Sequence, residues 1–184
     1  MVLRLKPDKK EEKDRIREEL LRAALRLGAA HGFASLGLRE VAREADIAPT
    51  SFYRHFEDME ALGLSLVRDK IEPLVAEWAE ALRRTTDEEP VGLIDRVFHS
   101  VDRDPELARF LVAERVGSSA VLRAALRDAL ATLGGDGDLI KVLLVDAAAQ
   151  LLDCTVETRP ALRQRSLQRL ASAIGAARTA SQKP

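Results

Sequence analysis

The sequence has few of the features that stabilise or anchor proteins outside the cytoplasm. Cys154 is the only cysteine among 184 residues, so one chain forms neither a disulfide nor a multi-cysteine zinc site. Its apolar neighbours predict a buried free thiol, with a redox-sensing thiol as the alternative. The lysine-rich N-terminus is not followed by an apolar segment, which argues against a signal peptide. No apolar run approaches the roughly 18 residues of a membrane span. We therefore expect a cytoplasmic protein.

A strong net charge is also missing. The formal net charge is −1, so the chain is not a polycation. Residues 1–57 hold 12 Lys and Arg against 10 Asp and Glu, whereas residues 58–184 hold 17 against 20. This asymmetry is too small to establish nucleic-acid binding by itself. The length suits one small module followed by a larger helical domain.

Catalytic motifs are absent as well. The sequence contains no Gly-rich nucleotide loop, no nucleophile elbow and no HExxH motif. His99, Asp102 and Asp104 resemble a hydrolytic or metal cluster, but no third His or Cys supports them. The GGDGD segment at 134–138 lacks the spacing of a calcium loop and is predicted to be a plain loop. We predict no enzymatic activity, no metal and no cofactor apart from a small-molecule effector.

Residues 33–57 carry the pattern on which the functional prediction depends. Apolar residues at i, i+3, i+4 and i+7 predict a short helix with one buried face: Leu38, Val41, Ala42 and Ala45. Asp46 is predicted to end this helix, because Asp tolerates the left-handed conformation. Pro49 suits the first position of a second helix, which is predicted to continue through Phe56.

The second helix has two different faces. Phe52 and Phe56 share one face at i, i+4 and are predicted to be core. The other face is polar, cationic and aromatic, which is typical of a helix-turn-helix reader of DNA. Thr50, Ser51 and Arg54 are predicted to enter the major groove, where Arg pairs with guanine. Tyr53 and His55 are predicted to hold phosphates.

The segment REVAREADIAPTSFYRHFEDMEAL resembles the DNA-binding module of the TetR family of one-component transcriptional regulators. Within that family, ASLGLREVAREADIAPTSFYRHFEDMEALGL is similar to the FabR and DesT branch of fatty-acid-synthesis repressors. The dense match covers residues 15–68, and ERVGSSAVLRAAL at 114–126 matches more weakly. Gly37 replaces the usual Ser or Thr cap, so its phosphate contact would come from the backbone N–H. Asp46 replaces the usual turn Gly. The DNA-binding residues are thus predicted to be Gly37, Arg39, Pro49, Thr50, Ser51, Tyr53, Arg54 and His55.

The predicted fold is all-α, with an N-terminal arm and helix-turn-helix domain (1–57) and a helical effector-binding and dimerisation domain (58–184). The first helix is predicted to begin at Asp8 and end near Ala30, before Gly32. Asp58 is predicted to cap a fourth helix, which Pro73 should kink. Further helices are predicted at 91–102, 104–115, 117–133 and 139–155, and from 160 onward.

The segment 139–155 is apolar almost all round, which predicts burial on more than one face. One chain offers too little body to bury both this helix and the last one, so the pair is predicted to dock on its copy in a second chain. The resemblance implies the same homodimer. The predicted interface residues are Leu144, Ala148, Leu152, Leu167, Leu170 and Ile174.

The helices from Ile71 to Phe110 are rich in large apolar side chains, and a hydrophobic effector is predicted to lie among Leu74, Trp78, Phe98 and Phe110. The resemblance implies that the effector is a fatty acyl thioester such as acyl-CoA, or a fatty acid, and that the regulated genes serve lipid metabolism. One alternative is a TetR-type regulator of efflux or catabolic genes that responds to another hydrophobic molecule. A helical adaptor that does not bind DNA is a further alternative.

Overall fold

The computed structural model describes residues 8–85, 90–133 and 138–181, with backbone only at 138 and 177–181. These residues form α-helices and no strand, which confirms the all-α prediction. None of the described helices combines the length and apolarity that crossing a membrane requires. The predicted arm up to residue 7 and the loop segments 86–89 and 134–137 lie outside the described residues. The helices are α1 Lys9–His31, α2 Leu38–Glu44, α3 Pro49–Phe52, α4 Met59–Leu66, α5 Glu72–Arg83, α6 Val91–Arg103, α7 Pro105–Glu114, α8 Ala120–Ala131, α9 Asp138–Leu152 and α10 Arg159–Ser181.

The turn between α2 and α3 forms as predicted. Asp46 has φ 55°, in the left-handed region. The N–H of Asp46 donates to the carbonyl of Arg43 at 3.1 Å, and the N–H of Ile47 donates to that of Ala42 at 2.9 Å. These two bonds are those of a Schellman motif, which satisfies the last carbonyls of a helix. The turn therefore fixes the direction in which α3 leaves α2.

Helix α3 is shorter than predicted. It ends at Phe52, and Tyr53–His55 form turns instead of continuing to Phe56. The N–H of Arg54 donates to the carbonyl of Ser51, and that of His55 to the carbonyl of Phe52, so the chain tightens to i, i+3 bonds. Phe52 and Phe56 nevertheless are 0% and 4% exposed, with ring centroids 5.7 Å apart. Both are core residues, as predicted.

The predicted long fourth helix is divided by a π-helical turn. Asp58 caps α4 as predicted, since its carboxylate accepts from the N–H of Ala61 at 2.7 Å. Val67–Ile71 are π-helical, and α5 begins immediately afterwards with Pro73 in its first turn. Proline lacks an N–H and its ring clashes with the carbonyl four residues earlier. The wider π-helical turn lies where an α-helix would meet this clash. Leu64 of α4 is apolar but 39% exposed.

Helices α9 and α10 contradict the argument that one chain is too small to bury them. Helix α9 packs against α6, α7 and α10 within the same chain. The predicted interface residues Leu144, Ala148, Leu170 and Ile174 are 0%, 1%, 0% and 6% exposed, so they are core residues of the protomer. Only Leu152 and Leu167 of that set remain half-buried.

The first helix joins the helix-turn-helix to the rest of the protein. The contacts around Phe33 between the helix-turn-helix and the rest of the protein (the body) are called the seam. The Phe33 ring stands edge-on to Phe110, with centroids 6.1 Å apart and planes at 89°. Two glycines allow the approach: a Cβ on Gly28 would lie 2.9 Å from Phe110 Cε2, and one on Gly63 would lie 2.7 Å from Leu122 Cδ1. Because α1 packs on both α2 and α7, the domain division at residue 57 stays a prediction.

Candidate DNA-binding surface

The predicted DNA-binding residues lie on the side of α2 and α3 that faces solvent. Tyr53 is 66% exposed, and its ring stands edge-on to the buried Phe52, with centroids 5.9 Å apart and planes at 80°. This contact fixes the base of the Tyr53 ring to the core, because edge-to-face pairs are attractive. Ser51 and His55 are half-buried, and the other six are exposed: Gly37, Arg39, Pro49, Thr50, Tyr53 and Arg54.

Arginines on this surface carry charges that the protein does not neutralise. Among the described residues, Arg39, Arg43 and Arg54 have no carboxylate within ion-pair distance, whereas Arg26 pairs with Glu44 at 3.0 Å. Arg43 was not among the predicted DNA-binding residues. It stands four residues after Arg39, which places both side chains on the same face of α2. That spacing was the signal available in the sequence.

His55 lies among cations. Partial burial lowers its pKa, and the nearby charges of Lys13, Arg17 and Arg54 lower it further. Its Nδ1 is buried and has no hydrogen-bond partner among the described residues, so a phosphate contact would have to use Nε2. Lys13 is exposed near the start of α1, which extends the positive surface beyond the helix-turn-helix.

Arg17 lies near this positive surface, but its side chain makes contacts within the protein. Its guanidinium lies 4.6 Å from the ring centroid of Phe56 and pairs with Asp69 at 2.5 Å. Lys70 makes a second link, to Glu18 at 2.6 Å. Burial alone would raise the pKa of Asp69, but hydrogen bonds from Arg68 and Arg17 lower it overall. These ion pairs hold α1 against the π-helical turn. The charge of Arg17 is thereby neutralised by Asp69.

Gly37 is the N-cap residue immediately before α2, and its backbone is extended with φ −102°. Nothing lies within 4 Å of the position that a Cβ would occupy. Neither the backbone nor the surroundings therefore requires glycine, and a capping side chain would fit there. The predicted contact through its backbone N–H remains a prediction.

The part of the chain that forms this surface also matches a known protein family in sequence. Residues 20–66 match the family described as bacterial regulatory proteins, tetR family. The helix-turn-helix domain is of the TetR type. The match covers α1 from Leu20, both helices of the helix-turn-helix and α4. Proteins of the TetR family are DNA-binding regulators and not enzymes.

Solved structures resemble the chain over most of its length. FadR from Bacillus halodurans, described as a fatty acid degradation regulator, has 20% identity and a TM-score of 0.64, over 84% of this chain and 97% of that one. FadR from Bacillus subtilis in complex with stearoyl-CoA has 18% identity and a TM-score of 0.61, over 85% and 98%. The SmeT–triclosan complex has 19% identity and a TM-score of 0.60, over 88% and 90%. At these identities the likeness establishes the TetR fold, including the helical C-terminal domain.

The four residues predicted to contact an effector are packed in the core. Leu74, Trp78, Phe98 and Phe110 are 4%, 0%, 7% and 0% exposed. The indole N–H of Trp78 donates to Ser100 Oγ at 3.0 Å, which satisfies its one polar group. Apolar content alone did not distinguish a ligand cleft from a packed core. A contact between these side chains and an effector stays a prediction that requires repacking.

Other candidate side chains have structural partners. The carboxylate of Asp102 accepts two hydrogen bonds from Arg159, at 2.8 and 2.9 Å. Asp104 caps α7 by accepting from the N–H of Leu107 at 3.0 Å, so neither is held for catalysis with His99. The described residues contain no group of side chains that would hold a metal ion. Cys154 is half-buried, not buried as predicted, and lies 3.1 Å from Thr158 Oγ1.

Proposed function

We propose that this protein is a transcriptional regulator that binds a palindromic operator as a homodimer in the cytoplasm, and that a hydrophobic small molecule controls it. The observation that carries the DNA-binding half is the solvent-facing set of unpaired arginines on a TetR-type helix-turn-helix. Unneutralised guanidinium groups attract phosphates and pair with guanine edges. A helical adaptor has no use for such a surface.

The residues of α3 and of the turn that follows it are proposed to have two roles. Arg54 is proposed to read a base in the major groove, together with Thr50 and Ser51. Tyr53 is proposed to hold a phosphate, because Phe52 fixes its ring while leaving the hydroxyl end in solvent. Phosphate contacts set the register of a protein on DNA without reading the sequence.

Selection from a random duplex pool tests this proposal. We expect one near-palindromic sequence, bound with a dissociation constant in the range of about 10⁻⁸ to 10⁻¹¹ M that specific sites show. Arg54→Ala should cost about 1–3 kcal/mol and relax preference at one base pair per half-site. Tyr53→Phe should weaken all sequences about equally. Failure to select any sequence would refute DNA recognition, and identical specificity profiles would refute the division of roles.

The dimer is proposed to form through the outer faces of α9 and α10. The inward residues are already used in the protomer core, whereas Leu139 is 55% exposed and Leu152 and Leu167 are half-buried. We expect Leu139→Asp to separate the protomers while the helical signal persists, because an unpaired charge would enter the interface. Sedimentation checks this result, and a dimer that persists places the interface elsewhere.

A fatty acyl thioester or fatty acid is the proposed effector, and control of lipid genes is the proposed role. The helix-turn-helix segment resembles that of fatty-acid-synthesis repressors, which supports this choice. The likeness of the fold to FadR from Bacillus subtilis, which was solved with stearoyl-CoA, also supports it. The likeness to the SmeT–triclosan complex supports the second candidate, a regulator that responds to another hydrophobic molecule. Titrating acyl-CoA and triclosan into the operator complex distinguishes the two.

A further inference from the structure

A cavity of about 710 Å³ lies between α8 and α9, beside the end of α7. Four of its lining side chains are cationic: Arg115, Arg123, Arg127 and Lys141. Among the described residues, its lining includes one carboxylate, that of Asp128. The volume falls within the range of about 300–1,000 Å³ that small-molecule sites occupy. The three arginines outnumber this carboxylate, and their positive charge suits an anion.

The arginines of this cavity differ from others in the body. Arg159 and Arg163 are paired with aspartates at 2.8 Å. Among the described residues, Arg115, Arg123 and Arg127 have no carboxylate within ion-pair distance. Concentrating unpaired guanidinium groups around a concave surface costs folding free energy through like-charge repulsion. A bound anion would relieve that repulsion.

The other lining side chains are apolar. Leu130 and Val145 are 7% and 1% exposed, and they form an apolar floor. Val142 is 48% exposed although it is apolar. We propose that this cavity binds an amphiphilic anion, with a phosphate or carboxylate head group on the arginines and an acyl tail along the floor. The site lies apart from Leu74, Trp78, Phe98 and Phe110.

The cavity is connected to the DNA-binding domain through the turn between α7 and α8. Arg123 Nη1 donates to the carbonyl of Gly117 in this turn. Glu114, at the end of α7, is 2% exposed, and its Oε1 accepts from the N–H of Phe33 at 2.8 Å. Phe33 lies only a few residues before α2. An anion that draws Arg123 from Gly117 therefore acts on a turn whose neighbour holds the chain leading into the helix-turn-helix.

Glu114 acts as a positioning residue between the cavity and the helix-turn-helix. Its second oxygen, Oε2, is buried without a hydrogen-bond partner among the described residues. A Cβ on Gly117 would lie 2.4 Å from that oxygen, so the turn and the carboxylate are in close contact. Movement of Gly117 is transmitted to Glu114 by this contact, and from Glu114 to Phe33 by the hydrogen bond.

Calorimetric titration of the full-length protein, without DNA, tests the site. Decanoyl-CoA, sodium decanoate, CoA and decanol are the probes. We expect at least one of the two acyl anions to bind, and CoA and decanol to bind at least tenfold more weakly. Binding of decanoyl-CoA alone assigns a phosphate head group, and binding of decanoate alone assigns a carboxylate. If neither acyl anion binds, or if CoA binds as tightly as decanoyl-CoA, the proposal is wrong.

The double variant Arg123→Gln/Arg127→Gln should lower the affinity about tenfold or more, because charge-assisted hydrogen bonds to the head group are lost. Arg109→Gln is the matched control: Arg109 is exposed on α7, has no ion pair among the described residues and does not line the cavity. It should change affinity less than twofold. Equal affinities for the double variant and the wild type would overturn the site. Circular dichroism checks that each variant is folded.

The proposed link between the cavity and the helix-turn-helix rests on the proposed function, because operator affinity is the quantity that tests it. Glu114→Ala should bind the anion within twofold of wild type, yet lose most of the ligand-induced change in operator affinity. Glu114→Gln keeps Oε1 and should retain that change, whereas Gly117→Ala disturbs the same contact and should reduce it. An unchanged response in Glu114→Ala and Gly117→Ala would refute the connection. A protein that binds no operator refutes the proposed function, while calorimetry still decides the site.

Discussion

The close approach at Gly63 makes the seam between the helix-turn-helix and the body testable by adding one methyl group. In Gly63→Ala the new Cβ would lie 2.7 Å from Leu122 Cδ1 and 2.9 Å from Phe33 Cε1. Leu122 and Phe33 are 1% and 5% exposed, so neither can move into solvent. Overpacking of this kind costs about 1–3 kcal/mol, and the helix propensity of Ala returns up to about 1 kcal/mol. We expect a net loss of about 0–3 kcal/mol.

Gly92→Ala is the matched control. Gly92 is also helical, but nothing lies within 4 Å of its Cβ position. Without a clash, this variant should gain up to about 1 kcal/mol. Urea unfolding at one protein concentration measures both, and the two variants should differ by about 1–3 kcal/mol. A Gly63→Ala protein as stable as Gly92→Ala would show that the contacts around Gly63 are loosely packed and would refute the predicted clash.

Three further predictions concern single residues. Asp46→Gly should raise the melting temperature, since φ 55° strains a residue with a Cβ by about 1 kcal/mol; a lower melting temperature would contradict the role of this turn. Ser100→Ala should destabilise by about 1–3 kcal/mol, because the buried Trp78 N–H loses its acceptor, and an unchanged urea midpoint would count against it. Burial and nearby cations lower the folded-state pKa of His55. The unfolded chain therefore takes up a proton first as pH falls below about 6.5, and stability declines until the folded-state pKa is passed. His55→Gln should flatten this part of the stability–pH curve, and an unaltered slope would refute the assignment.

The helix-turn-helix could be predicted in detail because its signals are local. Asp46 was expected in the left-handed region and has φ 55°. Phe52 and Phe56 were expected in the core from their i, i+4 spacing and are buried there. The end of α3 was predicted at Phe56 but lies at Phe52. The turns after Phe52 form through i, i+3 hydrogen bonds, which no residue type in this segment predicts.

The body was predicted less well, because its packing depends on long-range contacts. Leu144 and Leu170 were assigned to a dimer interface from apolar periodicity, but α6, α7 and α10 surround α9 in one chain. Periodicity shows that a face is buried and does not show which surface covers it. The cationic cavity was missed for the same reason. Its arginines come from the turn after α7 and from α8, while Lys141 comes from α9, and only the fold brings them together.

The π-helical turn at Val67–Ile71 has a consequence for how this helix diverged. Such a turn corresponds to one residue inserted into an α-helix, and it leaves the helix on either side in phase. Removing one residue from the turn would restore regular α-helical bonding and place Pro73 against the carbonyl four residues earlier. Without the extra residue, Pro73 would cost about 3 kcal/mol or kink the helix. We expect relatives that are one residue shorter at this turn to have a residue other than proline at the position of Pro73.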